Sequence, residues 1–231
     1  LSDSFYFPGW RARSFVETKQ KTMNLLVFGA TGGTGRQLVA QALTQGHTVT
    51  AFARTPAKLA IEHAHLRVVP GDVLDAAAVQ AAMAGHDAVL SALGAPAGNK
   101  APVRSAGTRH ILQAMEQAGV RRFVCLTTLG MGDSRPALPL AYKYLIVPLF
   151  LRRAFADSEL QEAHIRQSTV EWTIARPATL TNGPRTGHYR HGFPATEPGL
   201  KIKISRADVA DFMLRQLQEP TYLRRAASLS C

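Results

Sequence analysis

The chain has 231 residues, enough for one well-buried domain and not clearly enough for two. Hydrophobic residues make up 46% and charged residues 19%, which excludes intrinsic disorder over most of the length. The 27 Lys and Arg against 16 Asp and Glu leave +11, a charge that asks for an anionic partner: a nucleic acid, a membrane surface or a phosphorylated small molecule.

Residues 1–22 show no helix or strand period and lack the apolar core of a secretory signal, so they read as a flexible extension, with Met23 as a plausible natural start. Their own net charge is +2, from Arg11, Arg13, Lys19 and Lys21 against Asp3 and Glu17, so most of the excess belongs to the body. From Asn24 the pattern becomes regular. Strands are expected at Asn24–Phe28, Thr48–Ala53, Leu66–Val69, Asp87–Leu93, Arg122–Thr128 and Val170–Ala175. Helices are expected at Gly33–Gln45, Asp75–Ala84 and Pro102–Ala118, over a long region from about Leu140 to Gln167, and from Ser205 to Gln218. Strand and helix alternating this often imply parallel strands joined by crossovers. The expected fold is therefore α/β, a doubly wound parallel sheet of the Rossmann type in a single domain. Its expected bounds are 23–218, with a substrate-side insertion at 131–167 and a loosely ordered tail at 219–231, poorly ordered from Thr221 onward.

Between the first strand and the first helix stands Gly29-Ala30-Thr31-Gly32-Gly33-Thr34-Gly35. Glycines at this place permit the tight turn, the approach of the backbone to a pyrophosphate and the packing of helix on strand, while the helix start offers unpaired amides to the anion. After the second strand, where NAD-binding chains carry an acid for the ribose 2′-hydroxyl, this sequence has Arg54 and, one turn on, Lys58. Two cations there select a 2′-phosphate, so NADPH is the expected cofactor. Asp72 and Val73 after the third strand, and Ala92, Leu93 and Gly94 at the end of the fourth, lie at the edge where such sheets bind ligands; Asp72 reads equally as a turn-former beside Gly71.

GATGGTGR after a strand, Arg54 after the next, GDVLD at 71–75, DAVLSALG at 87–94, WTIARPATLTNGP at 172–184 and ISRADVADFML at 204–214 together resemble the NAD(P)H-binding, NmrA-like, atypical short-chain dehydrogenase/reductases. The resemblance covers about residues 23–218 and is closest to the biliverdin reductase B, or flavin reductase, subgroup. It implies hydride transfer from NADPH to a flavin, bound as substrate rather than cofactor, or to an open-chain tetrapyrrole. Thr127 and Thr128 occupy the place of the catalytic Ser or Thr of typical members. The companion Tyr-x-x-x-Lys is missing, because Ile146 stands four residues after Tyr142, Pro148 four after Tyr144, and Lys143 points elsewhere on a helix. Reducing a conjugated acceptor needs mainly a well-placed nicotinamide, with protons from solvent. The subgroup's histidine after the sixth-strand proline is replaced: Arg176-Pro177 is followed by Ala178.

Pro177 is placed in a loop over the nicotinamide, and Arg176 is either an anion contact or a structural ion pair. The apolar run Tyr144–Leu151, interrupted by Pro148, is too short to span a bilayer and reads as core, as a wall for a planar acceptor with Arg152 and Arg153 meeting its acid groups, or as a dimer contact. Ser205 and Asp208 read as a helix cap, and the histidines around His188 and His191 show no metal spacing. Cys125 and Cys231 form no disulfide framework, which fits a reducing cytoplasm, and no nucleic-acid reader motif is present. The expected partner is a planar anionic small molecule, the expected assembly a monomer or homodimer. A redox-sensing regulator that binds NADP(H) without turnover is the alternative.

Overall fold

The computed structural model describes residues 21–94, 101–138, 140–194, 197 and 200–231; the flexible stretch expected at the N-terminus lies almost wholly outside them. Strands β1 (Asn24–Phe28), β2 (Thr48–Ala53), β3 (Leu66–Pro70), β4 (Ala88–Ser91), β5 (Arg122–Leu126) and β6 (Glu171–Pro177) alternate with helices α1 (Gly33–Thr44), α2 (Ala76–Met83), α3 (Val103–Ala118) and α4 (Arg152–Gln167). After β6 come β7 (Thr179–Thr181), β8 (Arg190–His191), β9 (Lys203–Ser205), α5 (Arg206–Arg215) and β10 (Arg225–Ser230). The main sheet has the order β3-β2-β1-β4-β5-β6-β10-β8, parallel throughout except for β8, and β7 and β9 pair separately. The fold is the doubly wound α/β sheet.

Strand geometry builds the two cores. Successive side chains of β1 point to opposite faces, so Leu25 and Val27 pack with Leu38 and Val39 of α1 and Phe212 of α5, whereas Leu26 and Phe28 pack with Met83 of α2 and Ile111 of α3. These four β1 side chains are fully buried, as a parallel strand covered on both faces requires. The order reverses between β1 and β4, and at that reversal the flanking helices diverge and leave a crevice at the carboxyl ends of the strands.

Two expectations need correction. The residues from Thr221 onward are not a loose tail: β10 pairs in parallel with β6 from Arg225↔Thr173 to Leu229↔Pro177, and Ala227 and Leu229 are fully buried. Their small and mixed side chains, Arg-Ala-Ala-Ser-Leu-Ser, carry little strand signal of their own; the open edge of β6 supplies the pairing. The helical region expected from about Leu140 to Gln167 is present, but its winding changes along its length. Tyr142–Leu151 is wound as a π-helix and α4 begins at Arg152, which accords with Pro148, whose ring and missing N–H disturb regular α-winding. No residue of Tyr142–Leu151 is buried, which removes the core-packing reading of this run.

Candidate active site

The crevice is a cleft of about 470 Å³. Thr31, Gly32, Gly33 and Thr34 line its floor; Arg54 and Lys58 stand at the end of β2, Gly71 and Val73 follow β3, and Ala92, Leu93 and Gly94 follow β4. Gly29 has φ +73°, and a Cβ on it would lie 2.4 Å from the Ala92 carbonyl oxygen, so β1 and β4 approach here only because the residue is glycine. Gly35 does not line the cleft. Its missing side chain lets α1 sit on the turn, since a Cβ would come within 2.0 Å of the Gly29 carbonyl oxygen.

The helix starts around the crevice differ in one respect. The first amides of α2 donate to the Asp75 carboxylate, those of α3 at Arg104 and Ser105 donate to Asp157, and α5 is capped by the Ser205 hydroxyl. The start of α1 has no side-chain cap and no acid in its first turn. Its uncapped amides and positive dipole end face the cleft beside the glycines, which is the donor set that a pyrophosphate requires. The residues present therefore fit a dinucleotide: α1 and the glycine turn for the pyrophosphate, Arg54 and Lys58 at the ribose end.

Arg206 is a residue of this cleft that sequence reasoning missed. It opens α5, donates from Nη1 to Asn182 Oδ1 at 2.6 Å, and lies over Gly33, where a Cβ would stand 2.6 Å from Arg206 Cδ. Its position beside the Ser205 cap placed it in a structural motif, and only the packing of α5 against α1 brings it over the turn. Asp72 behaves as the turn-former: its Oδ1 accepts from the Leu74 amide at 3.0 Å, and it is absent from the cleft lining.

A second cavity of about 300 Å³ adjoins the first and shares Thr127, Leu180 and Arg206 with it. Leu138, Tyr142, Leu151 and Phe155 form its apolar wall, and Thr128, Pro177 and Ala178 face it from the sheet. Pro177 lines this second cavity, which adjoins the cleft. Arg152 is not in it; the cation it contains is Arg206. Tyr142 and Lys143 separate, the tyrosine lining this cavity and the lysine a different hollow.

Behind the shared wall sits a buried charge network. Arg176, 1% exposed, donates from Nε to Glu162 Oε1 at 2.9 Å and from Nη2 to Oε2 at 2.7 Å, and from Nη1 to Asp133. Arg166 adds a bond to Glu162 Oε2, and the Thr127 hydroxyl donates to Oε1 at 2.9 Å. Arg176 is therefore a structural ion pair and not a substrate contact. Burial pushes the Glu162 carboxyl up, but the hydrogen bonds and charge of Arg176, with the Thr127 hydroxyl and Arg166, outweigh it and hold the group below the ordinary carboxylate range. The Thr127 proton is thus directed at a carboxylate, while the Thr128 hydroxyl has a long 3.4 Å contact to the Leu129 carbonyl. Burial pushes the Cys125 thiol up, which leaves it protonated and unreactive. Among the described residues no group of three or more His, Cys, Asp or Glu is placed to hold a metal, and no helix is long and apolar enough to cross a membrane.

Residues 29–220 match the family described as NAD(P)H-binding. The chain belongs to that family. An uncharacterized chloroplastic protein of Arabidopsis thaliana is 30% identical over 203 residues, 80% of this chain and 72% of the plant protein. Photosystem II assembly factor Ycf39 of Synechocystis is 33% identical over 165 residues, 70% of this chain but 46% of that protein. Among solved structures, ChuY, described as an anaerobillin reductase from Escherichia coli O157:H7, superposes with a TM-score of 0.72 at 26% identity, covering 90% of this chain and 96% of its own. With the fold and the cleft, these similarities place the protein among the atypical short-chain dehydrogenase/reductases, an oxidoreductase fold built for a nicotinamide dinucleotide.

Proposed function

We propose that the protein is an NADPH-dependent reductase acting on a planar conjugated acceptor, a flavin or a linear tetrapyrrole such as biliverdin. The observation that carries this reading is the pair of adjoining cavities: a dinucleotide cleft with two cations at its ribose end, opening into an apolar cavity that shares Thr127, Leu180 and Arg206 with it. NADPH, when bound, supplies a hydride. The chain supplies position and charge. The start of α1 and the glycine turn hold the pyrophosphate, Arg54 and Lys58 meet the 2′-phosphate, and Leu138, Tyr142, Leu151 and Phe155 flank the acceptor's plane and exclude water from it. Arg206, on the boundary of the two cavities, neutralises an acid group of dinucleotide or acceptor.

The proton side of the reaction supports the same substrate class. The Thr127 hydroxyl donates its hydrogen bond to the Glu162 carboxylate, and no tyrosine–lysine pair faces the cavity, so the described residues offer no base poised to take a proton from an alcohol. A conjugated ring that receives hydride can take its proton from solvent and needs no such group. The similarity to an anaerobillin reductase, a protein whose description names reductase chemistry, supports the reading further.

The test is NADPH oxidation, followed by loss of the reduced-nicotinamide absorbance, with FMN, FAD, a quinone and biliverdin as acceptors. Turnover with at least one of them is the expected result. Tight NADPH binding without turnover on any would overturn the reductase in favour of a redox-sensing regulator.

A further inference from the structure

The π-wound segment has an outer face that the reductase reading does not use. Leu140, Tyr144, Leu145, Leu149 and Phe150 are 73%, 68%, 56%, 65% and 78% exposed. Soluble surfaces normally scatter large apolar side chains singly. These recur every four to five residues, the interval at which side chains stack in a helix with i→i+5 bonding, so they form one continuous face.

Beside that face lies a hollow of about 340 Å³ with an apolar floor of Leu138, Val147, Pro148 and Phe155. Arg135, Lys143 and Arg152 line it against one acid, Glu159. None of these three cations has an ion pair among the described residues, and Lys143 Nζ lies 5.1 Å from the centre of the Tyr144 ring, so a basic head and an apolar ring of this segment stand together. Arg153 adds a further exposed cation, and the sequence from Pro136 to Ala156 contains no acidic residue.

We propose that this face docks on an anionic lipid bilayer. The exposed apolar side chains enter the boundary between headgroups and acyl chains, and Arg135, Lys143 and Arg152 meet lipid phosphates. An apolar face rimmed by cations that lack ion pairs has the two components that hold a peripheral protein at such a surface, and each basic side chain strengthens the attachment about fivefold. A second copy of this chain is a poorer occupant. A two-fold contact sets the same patch against itself, and would bring Lys143 and Arg152 towards their own equivalents with no acid of the segment to offset them. Because Tyr142 and Leu151 of the same segment line the 300 Å³ cavity, docking holds the wall of that cavity against the lipid.

Co-sedimentation of the full chain with vesicles of mixed phosphatidylglycerol and phosphatidylcholine, and of phosphatidylcholine alone, tests this. The native protein is expected to bind the anionic vesicles, less as salt is raised, and to leave the neutral ones in solution. Leu149→Glu/Phe150→Glu and Lys143→Glu/Arg152→Glu are each expected to weaken that binding at least tenfold with NADPH affinity unchanged, which also reports that the variants are folded. Absence of binding to anionic vesicles, or binding by both variants equal to that of the native protein, overturns the proposal. So does a native dimer in light scattering that Leu149→Glu/Phe150→Glu converts to monomer, which would name a second copy as the occupant.

Discussion

Arg54 and Arg206 line one cleft from distant parts of the chain, and the proposed function gives them different tasks. Arg54 stands at the end of β2 with Lys58, where only a 2′-phosphate distinguishes NADPH from NADH, whereas Arg206 lies over the glycine turn, which serves both cofactors alike. Losing a charge-assisted hydrogen bond costs about 1.5–3 kcal/mol, roughly ten- to a hundredfold in affinity. Arg54→Ala is therefore expected to weaken NADPH by that factor and leave NADH nearly unchanged, while Arg206→Met weakens the two together. Fluorescence titration with both dinucleotides decides it, and an unchanged preference in Arg54→Ala would remove the 2′-phosphate assignment. The two arginines were not equally legible. Arg54 follows the glycine turn at an interval set by one strand-helix-strand unit, so its position can be read from spacing alone. Arg206 is more than 150 residues further along, and nothing local distinguishes it from a solvated charge at a helix start.

At the scale of elements, the glycine turn combines two requirements that the motif does not separate. Gly33 has Arg206 above it, a flexible side chain, whereas Gly35 faces backbone: a Cβ would lie 2.0 Å from Gly29 O and 2.8 Å from Ala30 Cα. Backbone of a buried strand end cannot yield as a side chain can. Gly35→Ala is expected to destabilise the protein by more than about 3 kcal/mol, beyond the common range for overpacking, and Gly33→Ala by much less. Urea unfolding of the two variants compares them directly, and equal losses would contradict this division of labour. The elements themselves were legible from Asn24 to Ala118, where apolar runs and helical periods alternate cleanly. Legibility fell where a local signal was overridden: Pro148 splits a continuous helical pattern, and β10 forms from a segment of weak strand propensity because β6 offers an unpaired edge.

Across the whole molecule, the Glu162–Arg176 network joins α4 to β6, the end of β5 through Thr127, and the turn at 132–137 through Asp133. Because Glu162 is held below its unfolded value, its contribution is complete above the ordinary carboxylate range and is lost as the pH falls through the folded value. Glu162→Gln keeps the shape but leaves Arg176 buried with Asp133 as its remaining carboxylate, a change of about 3–5 kcal/mol at neutral pH. The expected signature is a lower melting temperature at pH 7 and a shallower fall between about pH 5 and pH 3 than in the native protein. Parallel melting curves across that window would show that Glu162 does not carry the acid dependence. The same network accounts for none of the +11, because Arg166 and Arg176 are balanced by Glu162 and Asp133, so the whole excess lies outside it.

The sequence by itself determined the sheet class, the glycine turn and the cations after β2. Each is encoded within one strand-helix-strand unit, where the strand period of two, the helix period of 3.6 and the glycine spacing act locally. The tertiary structure alone decided that Arg206 crosses the turn, that Arg176 is paired, that β10 completes the sheet, and that Tyr142 and Lys143 face different cavities. Those outcomes depend on which distant surfaces meet once both faces of the sheet are covered, and such meetings follow from burial and charge pairing across the fold rather than from any neighbourhood in the chain.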